Sequence, residues 1–436
     1  MNYRRLFLGS SALALLARGA ALAQATDAAP QTAAADADTI VVTAQFRSQN
    51  LQDTPLAITA VNAPMLEARS QTSIQDVANQ APSVTLKPQG AAYGPALGAN
   101  IRGVGQFDFN PALEPGVGFY VDDVYYATLT GSILDLLDLD RVEVLRGPQG
   151  TLYGSGSMGG TIRIITNKPD LNDFKGSAEA TLSNTQHGGA NYSVKGMVNL
   201  PLVEDVVALR AVAYRSDISG YIDNALTGQK NVNDAQTTGA RLELGAQLGE
   251  DLRANLTYMI HDLKTGGRSE QTTAYQRTTR AFDGLTDRIN IFNATLDYDL
   301  GWAGVTSSTS YLKKRNTNRN SLEFILESAL GFRSASPLVD TTEIEDFSQE
   351  LRIASSGDGP VTYVVGAFYQ DRKRDYTQDA PVPGIDAFVG VPSTALGAPG
   401  LDRAFYGIQS IRQKQKALFG EISYAFTERL TATLGL

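Results

Sequence analysis

Side chains that commonly do chemistry are few and poorly grouped in this sequence. It contains no Cys, which removes a thiolate nucleophile, a thiolate metal site and a disulfide framework. His187 and His261 are the only histidines, and neither has an i, i+4 partner, so a structural metal site is not expected and both read as solvated positions. Asp122 and Asp123 set two carboxylates side by side, a pairing that acid–base catalysis uses. No nucleophile or water-activating ligand set accompanies them, and a turn-forming role is expected instead. The Gly-rich run Gly147 to Gly160 could cradle a phosphate, but it lacks the G-K-[ST] ending and no amphipathic helix follows it. Lys313-Lys314-Arg315 reads as a solvated or lipopolysaccharide-facing rim. No catalytic residue, metal site or cofactor is expected. Thr39-Ile40-Val41-Val42-Thr43-Ala44 is different, a β-branched run alone in polar surroundings. It can add as a strand to the sheet edge of a partner, or serve as an edge strand of the domain that follows.

The elements around these residues are mostly strands. A chain of 436 residues, 42% apolar and 19% charged, has length for two domains and the composition of a folded chain. Its 41 Gly and 18 Tyr suit a β-rich protein that presents aromatic side chains to an interface. A formal net charge of -9 argues against a nucleic-acid partner, which needs clustered Lys and Arg. Residues 1–25 form an export signal: Arg4 and Arg5, an apolar run from Leu6 to Ala17, then the small-residue sites Ala21-Leu22-Ala23 and Ala23-Gln24-Ala25. The run is shorter than the roughly 20 residues a bilayer-spanning helix needs, and no later run is long enough, so any membrane span must be made of strands. Residues 26–50 read as a flexible N-terminus. From Leu51 to about residue 170, short mixed segments rich in Gly and Pro predict a compact α+β domain. Ser73 is placed to cap a helix through Ile74, Val77 and Ala78 that stops before Pro82, and Gly131 to Leu139 could form another.

Beyond Phe174 the texture changes to alternating strands of about ten residues. Tyr192, Val194, Val198 and Leu200 share one face, and the pattern repeats in Leu242, Leu244 and Leu248, in Leu252, Leu256 and Tyr258, and in Phe292, Leu296 and Tyr298. A soluble sandwich would alternate too, so the connections decide. Pro201 to Asp205, Gly249 to Asp251, Gly301 to Trp302, Ser355 to Gly359 and Thr427 to Arg429 are tight. Asp217 to Gln236, Leu263 to Asp287, Asn316 to Thr342 and Asp371 to Arg412 are long. Short turns at one end and long loops at the other are the habit of outer-membrane barrels. About eleven strands are expected between Lys175 and Leu436.

Two motifs then carry a resemblance. Phe119-Tyr120-Val121-Asp122-Asp123-Val124, with Asp140-Arg141-Val142-Glu143-Val144-Leu145-Arg146-Gly147-Pro148-Gln149-Gly150-Thr151-Leu152-Tyr153-Gly154, resembles the plug signature of TonB-dependent outer-membrane transporters. Ile101-Arg102-Gly103 and Gly159 to Thr166 extend it. The resemblance implies a mainly β protein, with an α+β plug over residues 51–170 inside an antiparallel transmembrane barrel beginning at 175. The family's barrel has about 22 strands, so the chain is expected to hold the first half of one and to be an N-terminal fragment. It also implies that residues 39–44 are the TonB box, with Thr39, Ile40, Val41, Val42 and Thr43 contacting TonB. The ligand would be a small molecule, most readily a ferric siderophore complex, with cobalamin, haem or an oligosaccharide as alternatives. A passive porin is opposed by the plug, and a signalling receptor by the short stretch before the box. Tyr93, Phe107 and Phe109, in the Gly- and Pro-rich segments Gln89 to Ala99 and Gln106 to Pro115, are expected on apical loops that touch ligand. Plugs of this family carry arginines before such glycines, facing barrel carboxylates, and strand parity turns Glu350 and Glu421 inward. Arg102 and Arg146 are therefore expected to pair with Glu350 and Glu421.

Overall fold

A computed structural model of the chain describes residues 40–436, apart from 70, 72–73, 79, 92–93, 107–113, 127–137, 155, 270 and 358. The export signal, residues 26–39 of the expected flexible N-terminus and the cap expected at Ser73 lie outside the described residues, as does nearly all of the helix expected from Gly131. Leu139, its last residue, instead opens a strand.

The first part of the chain runs β1 (Val41–Val42), β2 (Gln49–Asn50), β3 (Ile58–Asn62), α1 (Ala63–Ala68), α2 (Ile74–Ala78), β4 (Val84–Ala91), β5 (Gly94–Ile101), β6 (Val104–Gly105), β7 (Val117–Val121), β8 (Val124–Tyr125), β9 (Leu139–Arg146), α3 (Gly150–Tyr153) and β10 (Gly160–Thr166). Five of these strands form a sheet in the order β3-β9-β10-β7-β8, with β10 parallel to β7 and the other pairs antiparallel. Asn62 starts α1 by accepting the Met65 N–H at 3.0 Å, with Pro64 in the first turn where no donor is needed. Asp122 takes the left-handed turn between β7 and β8 at φ 52°. Its carboxylate accepts the Thr166 N–H and hydroxyl at 3.0 and 2.9 Å, which is the turn-forming role expected of it. Gly160 is required where β10 crosses β9: at φ +150° a Cβ there would come within 2.2 Å of the Leu145 carbonyl oxygen. Ile74, Val77, Leu97, Ile101, Phe119, Val144 and Ile162 are among the fully buried residues of the core.

The second part runs β11 (Lys175–Asn184), β12 (Ala190–Val203), β13 (Val207–Ile218), β14 (Asp223–Asn224), β15 (Ala235–Leu248), β16 (Leu252–Thr265), β17 (Gln276–Arg277), β18 (Gly284–Asp299), β19 (Ala303–Ser321), α4 (Glu323–Leu330), β20 (Pro337–Ser355), β21 (Val361–Pro381), α5 (Ile385–Val389), β22 (Arg403–Thr427) and β23 (Leu430–Gly435). Eleven of these strands make one antiparallel sheet in chain order, the expected number, while β14 and β17 pair with each other in the long loops. Burial in this sheet is inverted relative to a water-soluble protein. Leu242 is 48% exposed while its neighbour Glu243 is fully buried, and Phe292 is 47% exposed beside Asn293 at 6%. The apolar face points away from the plug, so it needs a hydrocarbon surrounding and the polar face needs the plug. Cross-strand register aligns Tyr258, Phe292, Tyr311 and Phe347 in one outward aromatic row. On the short-turn side, Tyr298, Trp302, Tyr424 and Phe426 form a second exposed aromatic set. These are the two girdles of a membrane band. Beyond the first girdle the outward row Asp262, Arg288, Arg315, Glu343 and Asp375 is wholly charged.

The strands exceed the expected ten residues: β20 has 19, β21 has 21 and β22 has 25. Alternation marks only the part inside lipid. Above the girdle both faces are wet, the apolar period vanishes and backbone pairing continues unannounced by the sequence.

Candidate functional site

A strap formed by residues 40–47 wedges between plug and barrel wall. Ile40 to Val42 folds back on the following turn as β1 pairs with β2, and Val42 and Ala44 are fully buried. Thr43 is the anchor. Its N–H donates to Glu143 Oε1 at 2.9 Å, its hydroxyl accepts from Arg141 Nη2 at 2.9 Å, and its carbonyl accepts from Arg163 Nη1 at 2.8 Å. Glu143 is bound by Arg141 Nε at 2.7 Å and Arg163 Nη1 at 2.8 Å. Burial alone raises the Glu143 carboxyl, but Arg163, Arg141 and the Thr43 N–H outweigh it and hold the group below the usual carboxylate range. One residue further on, Tyr153 donates its hydroxyl to the Ala44 carbonyl at 2.7 Å. The cluster is positioned by β9 and β10, which place Glu143 and Arg163 directly opposite each other.

The barrel wall holds the other side of the strap. Gln45 Nε2 donates to Glu421 Oε1 at 2.8 Å, and Arg47 Nη2 reaches the Gly357 carbonyl at 3.4 Å. Gly357 sits in the tight turn between β20 and β21, so the strap lies at the short-turn end of the sheet. Phe46 takes a left-handed φ of 55°. Its ring packs 5.1 Å from Tyr153 of the plug and 6.5 Å from Phe419 of β22, with the Arg352 guanidinium 4.4 Å from its centroid.

Above the strap, ion pairs join plug to wall. Arg352 of β20 binds Asp123 at 3.2 Å and Glu350 at 2.7 Å. Arg372 of β21 binds plug Glu114 at 3.1 Å as well as Asp346 of its own wall at 2.8 Å. Arg210 of β13 and Arg241 of β15 both grip Asp138, each at 2.5 Å. Lys168, at the plug's exit, runs the other way and meets Glu243 of β15 at 3.1 Å. Desolvation raises the Asp123 carboxyl, yet Arg352, Arg163 and Lys168 together bring it below its ordinary value. A cavity of about 150 Å³ is lined by Phe46, Tyr120, Asp123, Tyr153, Glu350 and Phe419.

Glu350 and Glu421 do lie on the plug side of their strands, but neither meets Arg102 or Arg146. Glu350 is taken by Arg352 and Glu421 by Gln45. Arg146 donates weakly to the Pro82 carbonyl at 3.4 Å, and the Arg102 guanidinium lies against Gly147. The expected pairing fails because these arginines sit at the turns after β5 and β9, which contact each other. The plug surface facing Glu350 is the β7–β8 turn with Asp123. In most of the seam the charges are also reversed, with plug carboxylates meeting wall arginines. The partners are 72 residues apart for Arg210 with Asp138 and 258 for Arg372 with Glu114, so no local pattern announces them. The one available signal was the inward parity of Arg210, Arg241, Arg352 and Arg372.

Tyr93, Phe107 and Phe109 lie outside the described residues. Among the described residues, the segment Gln89 to Ala99 is largely the β4–β5 hairpin rather than a loop. His261 is not solvated: it is buried in the wall with Tyr214 Oη 2.6 Å from Nδ1. His187 stacks on Tyr275 in the loops. Lys313 and Arg315 point outward and pair with Glu345 and Glu343, whereas Lys314 turns inward toward Asp287 by the same parity.

Residues 50–161 match the TonB-dependent Receptor Plug Domain. The chain is similar to the pesticin receptor of Yersinia pestis, 31% identical over 217 residues that are 49% of this chain and 30% of that receptor. It is also similar to the hemin receptor of Yersinia enterocolitica, 34% identical over 134 residues, or 30% of this chain and 18% of that one. Among solved structures, the ferric yersiniabactin uptake receptor of Yersinia pestis shares the fold at a TM-score of 0.71 and 18% identity, covering 87% of this chain and 56% of that chain. The matched stretches thus span well under two thirds of these relatives.

Proposed function

Because this chain belongs to the TonB-dependent receptor family of the bacterial outer membrane, we propose that the protein it forms imports a scarce nutrient across that membrane, most readily a ferric siderophore complex. The observation that carries this reading is the seam just described, a plug tied into a lipid-facing barrel by ion pairs, with a sequestered strap at the short-turn end. In a closed barrel such a plug would block free diffusion, which disfavours a passive porin, and the strap would offer a handle to an energy-transducing partner on the periplasmic side. Thr39, Ile40, Val41, Val42 and Thr43 are the proposed TonB-binding segment, a short β-branched run of the kind that recognises a sheet edge. The outer lipid leaflet, lipopolysaccharide included, would meet the aromatic row and the charged row above it. No chemistry on the ligand is part of this function.

The iron reading is supported by the relative named for hemin and the structural neighbour named for ferric yersiniabactin. The loop arginines add little to it, since Arg277 is buried in a pair with Asp283 and Arg288 is paired with Asp262. Neutralised arginines offer little attraction to an anionic chelate. Haem, cobalamin and oligosaccharides stand as the alternatives. The test is uptake of labelled iron chelates by cells carrying the full-length gene as their only receptor of this type, with and without TonB. Energy-dependent uptake of a ferric siderophore supports the reading. Iron uptake equal in cells with and without the gene, alongside transport of haem, cobalamin or a sugar, replaces the ligand.

A further inference from the structure

The strap is held from two sides, and one residue touches everything that must move. On the plug side Thr43 and Ala44 are fixed by Glu143, Arg141, Arg163 and Tyr153. On the wall side the Arg352 guanidinium stands over the Phe46 ring at 4.4 Å while it binds Asp123 of the plug at 3.2 Å and Glu350 of its own strand at 2.7 Å. Arg352 thus contacts strap, plug and wall at once, with its side chain only 12% exposed. A planar guanidinium can meet two carboxylates at its edge and an aromatic ring at its face simultaneously, whereas an ammonium is a point charge that cannot fill that geometry.

We propose that Arg352 is the bolt of the strap, a positioning residue that makes release of the TonB-binding segment depend on where the plug's β7–β8 turn sits. This rests on reading residues 39–43 as that segment. Asp123 and Glu350 together set the guanidinium over Phe46. When the turn carrying Asp123 moves away from the wall, only Glu350 restrains Arg352, and the adjoining cavity of about 150 Å³ gives the side chain and Phe46 room to leave. The plug-side clamp on Thr43 and Ala44 and the hydrogen bonds of Gln45 to Glu421 and Arg47 to the Gly357 carbonyl then hold the strap without the guanidinium over Phe46.

These 436 residues contain no Cys, so in a full-length receptor with any Cys elsewhere replaced by Ser each introduced thiol is read alone. In the full-length receptor in outer-membrane vesicles lacking TonB, Val42→Cys reports strap release through its rate of maleimide labelling, and Val117→Cys, in the buried plug core, reports plug unfolding. Arg352→Gln is expected to speed labelling at position 42 by about tenfold, the scale of losing one charge-assisted contact, without changing position 117. Asp123→Asn should act in the same direction, and Arg352→Lys less than Arg352→Gln. Unchanged labelling at 42 in both Arg352→Gln and Asp123→Asn, in receptors whose barrels still resist SDS unless heated, would overturn the proposal. So would equal acceleration at 42 and 117. Capture of an isolated TonB C-terminal domain by the released strap is scored separately: fast labelling without capture removes the TonB reading and leaves the role of Arg352 standing.

Discussion

Replacing Glu143 by Gln should loosen the strap from the plug side. The carboxylate is fully buried and accepts from Thr43 N at 2.9 Å, Arg141 Nε at 2.7 Å and Arg163 Nη1 at 2.8 Å. Glutamine keeps one acceptor oxygen but turns an NH2 toward guanidinium donors, and it leaves Arg163 buried without its nearest counter-charge. Removing one partner of a buried pair costs about 3–5 kcal/mol. The low end applies here, because Arg163 keeps the Thr43 carbonyl at 2.8 Å and lies 5.6 Å over the Tyr153 ring. The strap's own share is one hydrogen bond to a charged group, about 1.5–3 kcal/mol. At about 1.4 kcal/mol per decade this corresponds to a roughly 10- to 100-fold larger released population. Labelling of Val42→Cys in the full-length receptor, at saturating exchange, reads that population. A rate within about twofold of the parent, far below one decade, with the barrel folded, would refute the idea that Glu143 anchors the strap.

Other consequences can be checked with the same receptor. Deleting Thr39 to Thr43 should abolish energised uptake and leave surface binding of the ligand nearly unchanged, as measured by chilled binding against warm uptake; equal loss of both would count against a TonB role for the segment. The Glu143 carboxyl is depressed, so its contribution is fully present above the unfolded value and is lost only as pH falls through the lower folded one. A spin label at the exposed Val41 should therefore stay immobile through neutral and mildly acid pH, and mobilise only below the ordinary carboxylate range. Asp138→Asn removes the shared partner of Arg210 and Arg241 and should cost about 3–5 kcal/mol of plug docking, visible as earlier plug unfolding in urea while the barrel persists. Leu351→Arg, on the lipid face between the girdles, should destabilise the barrel by about 2–4 kcal/mol in bilayer folding titrations.

How much of this protein could be read without coordinates follows from the range of the forces involved. The eleven strands, their lipid-facing parity and the tight turns were legible because each is written in residues that are neighbours in the chain: Tyr192 with Val194, Leu242 with Leu244, Phe292 with Leu296. The helix at Ile74 and the turn at Asp122 were legible for the same reason, since helical and reverse turns are set by residues close in the chain. Parity even turned Glu350 and Glu421 to the correct side of the wall. Which charge each would meet was not legible, because Asp123 finds Arg352 and Asp138 finds Arg210 and Arg241 only when the plug has entered the barrel. Coulomb attraction acts through space and leaves no periodic trace along the chain. The expected partners Arg102 and Arg146 were therefore misassigned, and the clamp of Thr43 by Glu143, Arg141 and Arg163 went unseen. Strand length beyond the girdle was hidden as well: there water solvates both faces, side chains carry no in–out code, and only the backbone ladder of the folded sheet continues the strand.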